Sequence, residues 1–480
     1  MKRVIWWIRR DLRISDNPRL STAISMGDEV IPIFILDPIL MNSDYTSEKR
    51  KAFLLSGLRI LDSELRKNDS YLIIREGNAF EELSKLTYEY QVSSILAEPD
   101  YSTYSINRDK EVASKLPVYW IGSPSILPPG SVLKSDGTPY TVFTPFSKAW
   151  KSLTSNIPIK NSSSNLPIFT PLHIPSLSIP TSSSSTLFKP GEDEAQHRLS
   201  KFTQIETDTL RNSLPAIFKY NSGRNQLDVE GTSQLSPYLR FGMLSARQAL
   251  FASEFAIQNA NNQDAQMNAE SWLNELIWRD FYIHILHHFP HVRRQNFRKI
   301  NIKWEYNSQI FEYWANGETG YPIIDASMRQ LIETGWMHNR ARMIVASFLT
   351  KDLLIDWRWG EKWFMQHLID GDPAANNGGW QWIAGTGTDA APFFRIFNPI
   401  HQAQKFDPKG NFVRKWLPEL QFVPNEYIHE PWKMPSEIQR KSKCVIGKDY
   451  PAPIIDHYWA RQRTLQVFHE QNLKNFNLSE

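Results

Sequence analysis

The densest group of side chains suited to chemistry lies in residues 357–399. Two carboxylates, Asp370 and Asp372, and the amide of Asn376 come close together there. Carboxylates accept hydrogen bonds from hydroxyl groups, and an amide can both donate and accept. The same stretch holds four tryptophans whose rings could stack on a flat ligand: Trp359, Trp363, Trp380 and Trp382.

Residues 374–379, Ala-Ala-Asn-Asn-Gly-Gly, are interpreted as a turn of small residues within this stretch. Small residues let the backbone approach a flat ligand closely. A helix end with aromatic core packing would explain the same composition. A second stretch with similar chemistry favours the ligand site.

That second stretch is residues 272–282. On a helix, Glu275, Trp278, Arg279 and Tyr282 share one face. Burying a glutamate is costly unless it has partners, so this face is an unusual choice for a core. It suits a pocket that stacks bases and hydrogen-bonds their edges.

Two further groups carry weaker signals. The hydroxyls of Thr232, Ser233 and Ser236 precede a predicted helix, which is typical of an anion site for a diphosphate or of a plain N-cap. Basic residues interleaved with aromatic ones indicate either a nucleic-acid surface or a solvated basic face. They are Arg293, Arg294, Phe297, Arg298, Lys299, Lys303 and Trp304.

Composition bounds the class of protein. A chain of 480 residues predicts two domains, and a net charge of +3 means that any nucleic-acid surface must be local. The single cysteine, Cys444, excludes a disulfide framework. The N-terminal apolar run is too short for a signal peptide or a membrane span, so we expect a cytoplasmic protein. No HExxH or Cys/His spacing is present, which predicts no metal site.

The elements that position these residues differ along the chain. In residues 1–130, β-branched runs alternate with amphipathic helical ones, which predicts a five-stranded parallel, doubly wound sheet. No GxGxxG or Walker loop follows the first strand. Three arginines follow that strand: Arg9, Arg10 and Arg13. They could form a ligand site at the end of the strand, or an ion-pair network that holds the loops together. The strands are predicted at residues 3–8, 30–36, 71–75, 94–97 and 118–121, and the helices at 18–26, 48–67, 79–90 and 104–115.

Residues 131–198 are predicted to be a linker that wraps one domain, because 161–166 and 175–186 are rich in serine and proline. Residues 138–150 look different, since their aromatic residues suggest an ordered loop leading into a helix. From 199 to 480 strand patterns vanish, and an all-helical domain that can hold a large cofactor is expected. Its helices are predicted at residues 194–209, 246–259, 265–288, 309–316, 323–335, 339–353 and 362–369.

Taken together, the chain resembles the photolyase/cryptochrome family over nearly its whole length. The strings that carry the resemblance are long and in the family's order: WWIRRDLRISDN, GTPYTVFTPF, TSQLSPYLRFG, WLNELIWRDFY, GYPIIDASMRQLIETGWMHNRARM and FFRIFNPIHQAQKFDP. The resemblance implies an α/β domain, a wrapping connection and a helical domain that holds FAD, active as FADH⁻. It also implies damaged DNA, single- or double-stranded, as the partner. Nothing in the sequence demands more than a monomer.

Single positions indicate the subclass. Asn376 matches the position that faces flavin N5, where an amide resembles the DNA-repair enzymes; plant cryptochromes tend to have Asp there and animal ones Cys. His338 is followed by Asn339, whereas enzymes that repair (6-4) photoproducts carry a histidine pair in this region. The chain therefore resembles a class I cyclobutane pyrimidine dimer photolyase. The presence of Met343 and Glu275 is consistent with that subclass.

The resemblance also implies residue roles. Glu275, Met343 and Asn376 would be catalytic, with Glu275 bonded to a carbonyl of the dimer, and Arg342 would pair with Asp370. FAD would be bound by Tyr220, Thr232, Ser233, Gln234, Leu235, Ser236, Arg279, Arg342, Asp370, Gly371, Asp372 and Asn376. Electrons would reach an oxidised flavin through Trp304, Trp357 and Trp380. The lesion and its DNA would be contacted by Arg224, Glu275, Trp278, Asn339, Arg340, Met343, Trp382 and Gln402.

Relatives carry a second, light-harvesting chromophore in the α/β domain. Arg108 occupies the position where folate-binding members have a glutamate, so 8-hydroxy-5-deazaflavin near Arg9, Phe34, Asp37 and Asp100 is expected, with the folate MTHF or FMN as alternatives. The alternatives to repair are a blue-light photoreceptor, a (6-4) photolyase and a flavin oxidoreductase unrelated to light. Asn376, and the end of the chain soon after the helical domain, argue against the photoreceptor.

Overall fold

A parallel sheet of five strands forms the centre of the N-terminal part of the chain. The computed structural model describes residues 1–154, 170, 173–203, 214–392 and 395–477. The strand order is β3-β2-β1-β4-β5, which confirms the predicted doubly wound sheet. The strands are β1 (Arg3–Ile8), β2 (Glu29–Leu36), β3 (Ile73–Glu76), β4 (Val92–Ala97) and β5 (Val118–Trp120).

Helices alternate with the strands as expected. The boundaries of α1 agree with the prediction because its start signal is strong: Asn17 accepts a hydrogen bond from the Leu20 N–H, and Pro18 takes the first helical position. The neighbours β1 and β4 end where the strand order reverses, which is where open α/β sheets bind ligands. The helices here are α1 (Pro18–Met26), α2 (Pro38–Met41), α3 (Glu48–Arg66), α4 (Ala79–Glu89) and α5 (Thr103–Lys115).

The connection to the helical region contains α6 (Phe143–Thr154) and α7 (Glu192–Thr203). Between them, the described residues follow the edge strand β3: the Leu177 N–H donates to the Ile74 oxygen at 3.0 Å. Ile74 in turn donates to Ser176 Oγ at 2.9 Å. This confirms the wrapping linker and covers an edge that would otherwise expose unpaired backbone groups. The serine-rich residues 161–166 lie outside the described residues.

The rest of the described chain is helical, and only isolated β-bridges occur in it. None of its helices is long and apolar enough to cross a lipid bilayer, nor is any other in the described part of the chain. The helices are α8 (Tyr220–Gly223), α9 (Ser236–Phe241), α10 (Ala246–Gln258), α11 (Gln263–His288), α12 (Ser308–Asn316), α13 (Pro322–Thr334), α14 (Asn339–Ser347), α15 (Trp357–His367), α16 (Pro373–Ala384), α17 (Pro399–Phe406), α18 (Asn411–Trp416), α19 (Ser436–Lys441) and α20 (His457–Asn477).

Two predicted elements need correction, and a third extends beyond the described residues. Residues 374–379 were interpreted as a turn and instead form the first half of α16. Asp372 accepts from the Ala374 N–H at 2.9 Å and Pro373 opens the helix, a start signal that outweighs the two glycines. The helix predicted at 339–353 changes to a π-helix at Phe348–Asp352. The helix predicted at 194–209 is described only to Thr203.

The chain divides into two compact units. Unit 1 comprises Met1–Tyr220, Thr232–Pro290 and Ile369–Ala374, and unit 2 comprises Asn221–Gly231, His291–Leu368 and Ala375–Glu480. One core of unit 1 is built on the inward residues of the sheet, such as Ile5, Ile33 and Ile95. The core of unit 2 is rich in aromatic residues. The predicted domain limits 1–130, 131–198 and 199–480 stay a prediction.

Candidate functional site

The site residues predicted from the sequence fall into both units. Unit 1 contains Tyr220, Thr232, Ser233, Gln234, Leu235, Ser236, Glu275, Trp278, Arg279, Asp370, Gly371 and Asp372. Unit 2 contains Arg224, Trp304, Asn339, Arg340, Arg342, Met343, Trp357, Asn376, Trp380, Trp382 and Gln402.

Within unit 1, the hydroxyl-rich segment and the first aspartate meet although they are far apart in the chain. Ser236 Oγ donates to Asp370 Oδ2 at 2.6 Å. The neighbouring Ser233 Oγ accepts from Trp272 Nε1 at 3.4 Å, and Gln234 Oε1 accepts from Arg198 at 3.1 Å. The segment is therefore held by side-chain hydrogen bonds, with hydroxyl and carboxylate groups adjacent to one another.

The second aspartate has cationic partners that the sequence analysis did not assign to it. Arg10 Nη2 lies 2.8 Å from Asp372 Oδ2, and Arg240 Nη1 lies 3.8 Å from the same oxygen. Arg240 Nε also donates to the Gly371 oxygen at 2.9 Å. Burial lowers the pKa of the Arg240 guanidinium to about 9, and the positive charge of Arg10 acts in the same direction. No spacing in the sequence links Arg10 or Arg240 to Asp372.

The arginines after β1 form ion pairs and backbone contacts. This agrees with the interpretation of these residues as an ion-pair network. Arg9 Nη1 lies 2.6 Å from Asp109, and Arg10 lies 3.6 Å from Asp100 as well. Arg13 donates to the backbone oxygen of Gly242 at 2.9 Å. Burial by itself would raise the pKa of Asp100, but Arg10 and Arg9 hold that pKa well below its usual value.

The helix α11 carries Glu275, Trp278 and Arg279 within five residues, and all three side chains are half-buried. Arg279 donates to the backbone oxygens of Pro124, at 2.6 Å, and Leu239, at 3.3 Å. These bonds fix the guanidinium between the linker and the end of α9. The assignment of Arg279 to FAD stays a prediction.

Within unit 2, Asn376 lies on α16 and is fixed by α15. Its Nδ2 donates to the Glu361 backbone oxygen at 2.9 Å. The Glu361 carboxylate is buried and lies 2.6 Å from Arg293 Nη1. The half-buried Arg293 is therefore paired with a buried carboxylate, and its place on a nucleic-acid surface stays a prediction.

Open or unsatisfied positions on α16 indicate room for a polar ligand. In the described part of the chain, Trp380 Nε1 and Asn377 Nδ2 are buried donors without a hydrogen-bond partner. A Cβ built on Gly379 would meet no atom within 4 Å. Buried polar groups normally have partners, so these donors fit a ligand that accepts hydrogen bonds, as a flavin ring does.

The three predicted electron-transfer tryptophans belong to the core of unit 2. Trp357 is 0% exposed, Trp380 2% and Trp304 7%, so Trp304 is the outermost of them. Trp357 Nε1 donates to Asn296 at 2.9 Å. The ring of Trp380 contacts Phe364, with centroids 5.0 Å apart.

The basic residues expected at DNA lie near the start of α14. Arg340 Nη2 donates to Asn225 Oδ1 at 2.6 Å, and its guanidinium lies 4.6 Å from the Phe406 ring centroid. His338 caps the helix, because its Nδ1 accepts from the Arg340 N–H at 3.1 Å. Burial lowers the pKa of His338 to about 4, and the charges of Arg342 and Arg340 act in the same direction. Met343 lies one turn from Asn339, and its sulfur accepts from Asn339 Nδ2 at 3.9 Å.

The cleft residues expected for a second chromophore also lie in unit 1. Tyr104 donates to Asp37, and Arg108 lies 3.0 Å from Asp109, the partner of Arg9. Arg9 covers the ring of Trp7, with the guanidinium carbon 4.6 Å from the centroid. The cluster thus places Arg9, which directly follows β1, beside a second cation, Arg108.

Comparisons with known proteins agree with this arrangement. Residues 4–164 match the family model described as "DNA photolyase", and residues 272–470 match "FAD binding domain of DNA photolyase". A deoxyribodipyrimidine photo-lyase of Salmonella typhimurium is 40% identical over 96% of this chain and 97% of the relative. The solved class III photolyase of Agrobacterium tumefaciens is 35% identical, with a TM-score of 0.88 and 98% of each chain covered. A Synechocystis cryptochrome has the same TM-score at 27% identity, covering 97% of this chain and 99% of that one.

Proposed function

The chain belongs to the DNA photolyase family, and from this premise we propose which of its residues carry out the light-dependent repair of cyclobutane pyrimidine dimers in DNA. The activity is that of a deoxyribodipyrimidine photo-lyase, a carbon–carbon lyase. The observation that carries the residue assignment is the amide of Asn376 on α16, which is held by the Glu361 oxygen of α15. The same helix α16 carries Trp380, whose buried Nε1 has no hydrogen-bond partner in the described part of the chain.

The protein binds FAD, and its residues fit that cofactor. Bound and reduced, FAD supplies an electron donor that light excites. In unit 1, the proposed contacts come from Tyr220, the hydroxyls of residues 232–236, Arg279 and the carboxylates of Asp370 and Asp372. In unit 2, Asn376 and Arg342 are proposed to contact the flavin ring.

Asn376 is proposed to keep the flavin in its reduced, anionic form. An amide can hydrogen-bond a ring nitrogen without giving up a full proton, which a carboxylic acid would do. Because Nδ2 is already committed to the Glu361 oxygen, the orientation of the amide is set before the flavin binds. Fixed dipoles of this kind need no reorganisation during the reaction.

The dimer is proposed to be held by Glu275, Trp278 and Trp382. As a protonated carboxylic acid, Glu275 would donate a hydrogen bond to a carbonyl oxygen of the dimer and stabilise the negative charge that develops there. The two tryptophans stack on the lesion, and base–aromatic stacking contributes about 1–3 kcal/mol per base. For photolyases, as for other base-flipping enzymes, extrusion costs a few kcal/mol and least for a damaged base, so damage is selected without reading sequence.

Contacts with the DNA backbone and the lesion surroundings are proposed for Arg224, Asn339, Arg340, Met343 and Gln402. Arg340 is already oriented by Asn225 and Phe406. Phosphate contacts release counterions, so affinity should fall as salt rises. A monomer suffices for all of these contacts.

We propose that the antenna chromophore is 8-hydroxy-5-deazaflavin, bound near Arg9, Phe34, Asp37 and Asp100. Arg108 supports this because a cation stands where folate-binding members have a glutamate. Reconstitution with the deazaflavin, MTHF and FMN in turn tests it, since the absorption band that sensitises repair identifies the chromophore.

Repair by the purified, reduced holoprotein is the first test. An oligonucleotide with one cis-syn thymine dimer is incubated under blue light or in the dark, and recovery of the thymine absorbance is followed. Recovery in the light only is expected, weaker for Glu275→Gln and unchanged for Glu254→Gln, the same change on α10, a helix that carries none of the proposed site residues. A protein that binds reduced FAD and gives no recovery would instead favour the photoreceptor, and a (6-4) substrate would then be tried.

A further inference from the structure

The aromatic loop of the linker, residues 138–150, has no role in the function proposed above. In the structure its last part forms the start of α6, and the ring of Phe143 stacks on the ring of Trp278. The two centroids are 3.6 Å apart and the ring planes differ by 2°. This is a face-to-face contact with the tryptophan that we assign to the lesion.

Helix α6 is anchored on α11 by buried contacts. Trp150 Nε1 donates to Asp280 Oδ2 at 3.0 Å, and the same carboxylate accepts from the Ile126 N–H, also at 3.0 Å. The rings of Phe146 and Phe281 pack with centroids 5.1 Å apart. Moving Phe143 away from Trp278 by shifting α6 would break these buried contacts, so Phe143 is a fixed neighbour.

Among the described residues, the other aromatic rings near Trp278 do not lie flat on its ring. Phe281 meets Trp278 edge-on at 5.7 Å, and Tyr282 lies tilted at 5.5 Å. Only Phe143 lies parallel to the Trp278 plane at contact distance. A base that stacks on Trp278 must therefore use the face opposite Phe143.

We propose that Phe143 is a positioning residue of the dimer site, which backs Trp278 and holds its plane for stacking on the lesion. The inference rests on the proposed role of Trp278. It gives the linker a part in lesion recognition. Contacts between aromatic rings in general stabilise their arrangement by an amount equivalent to roughly a 2- to 10-fold change in binding.

Dark binding of the holoprotein to a thymine-dimer oligonucleotide and to the same undamaged strand tests the proposal. Phe143→Ala should weaken binding of the dimer roughly 2- to 10-fold and leave binding of undamaged DNA unchanged, because phosphate contacts supply the latter. Phe143→Tyr should restore discrimination, since it keeps the ring. Phe143→Leu keeps an apolar side chain but loses the ring, so it should not restore discrimination. The leucine variant also replaces the alanine variant in this test if the alanine variant folds poorly.

The matched control is Phe146→Leu, one turn later on α6. The ring of Phe146 packs on that of Phe281 and not on that of Trp278. This change should therefore lower stability without changing the discrimination between dimer and undamaged DNA. An equal loss of discrimination in Phe146→Leu would overturn the proposal in favour of a general loosening of α6. Tighter dimer binding by Phe143→Ala would also overturn it, because Phe143 would then occupy the place of the base.

A double-mutant cycle separates this inference from the function on which it rests. In the Trp278→Ala background, Phe143→Ala should have no further effect on discrimination. If Trp278→Ala weakens dimer binding while Phe143→Ala does not, the positioning role alone fails. If Trp278→Ala leaves discrimination intact, the assignment of Trp278 to the lesion fails and the inference fails with it.

Discussion

The side-chain Nδ2 of Asn376 donates to the backbone oxygen of Glu361 across 2.9 Å, which links the start of helix α16 to α15. The bond uses the donor end of the amide. It leaves the orientation of Asn376 independent of any ligand, and it explains why a carboxylate at this position would be a poor substitute.

Asn376→Asp should therefore speed the loss of the reduced flavin and lower repair. An ionised aspartate cannot donate to the Glu361 oxygen and would place two acceptors against each other, a cost of about 1–3 kcal/mol for an unsatisfied buried group. The rate of flavin reoxidation in air and the repair yield under blue light measure the effect. Asn316→Asp, the same change at an exposed position of unit 2, is the control, and equal repair by both variants would contradict this reading of Asn376.

Gly360→Ala should displace the Trp380 ring and slow photoreduction of an oxidised flavin. A Cβ at Gly360 would lie 2.7 Å from Leu349 Cδ2 and closer still to Trp380 Cη2. Overpacking of this kind typically costs about 1–3 kcal/mol of stability. Flavin photoreduction under anaerobic illumination and the urea midpoint report the two effects.

The control for that substitution is Gly57→Ala on α3. Its Cβ would meet the flexible end of the Met243 side chain, which can rotate away. We expect a smaller loss of stability and unchanged photoreduction. Slower photoreduction in Gly57→Ala as well would mean that the effect does not depend on Trp380.

The sequence predicted most of the elements but few of the contacts within the site. Helix α1 was placed correctly because Asn17 and Pro18 are local signals. The first half of α16 was interpreted as a turn because residues 374–379 are small and include two glycines, and the start signal at Asp372–Pro373 was not used. Site residues were found through motifs that the family resemblance supplied.

Pairs that are distant in the chain were not predictable from spacing. The bond between Ser236 and Asp370 joins residues 134 positions apart, and the pair of Arg10 and Asp372 joins residues 362 positions apart. Such contacts follow from tertiary packing, which neither periodicity nor local propensity encodes. The stacking of Phe143 on Trp278 belongs to the same class.

In His338→Asn, the free energy of unfolding should fall less than in the wild type when the pH is lowered into the mildly acidic range. The folded protein holds His338 with a pKa of about 4, below the value of about 6.5 in an unfolded chain. The unfolded chain therefore binds more protons between those values, and stability falls as pH falls from about 6.5 to about 4, by up to about 1.4 kcal/mol per pH unit from this group. Asparagine still caps the helix but does not titrate.

Urea unfolding of both proteins from pH 7 to pH 4.5 measures this contribution. The difference in the free energy of unfolding, wild type minus variant, should decrease steadily across the window. A difference that does not change with pH would show that His338 is not the buried neutral group described above.

Lys351 on the π-helix should make the stability of the protein depend on pH in the alkaline range. Its Nζ is fully buried, donates to the Ala384 oxygen at 2.8 Å at the end of α16, and lies 3.8 Å from the Phe468 ring centroid. Burial lowers the pKa of Lys351 to about 7. Between pH 7 and about 10.4 the unfolded chain holds the proton and the folded chain does not, so this group makes stability rise with pH.

Lys351→Met removes that contribution and keeps a long apolar side chain. From pH 7 to pH 9, the unfolding free energy of the wild type should rise relative to that of the variant, by up to about 1.4 kcal/mol per pH unit. The exposed Lys448→Met in the same unit should show no such trend. A parallel pH dependence in wild type and Lys351→Met would mean that the ammonium stays charged, held by the Ala384 oxygen and the Phe468 ring strongly enough to offset its burial.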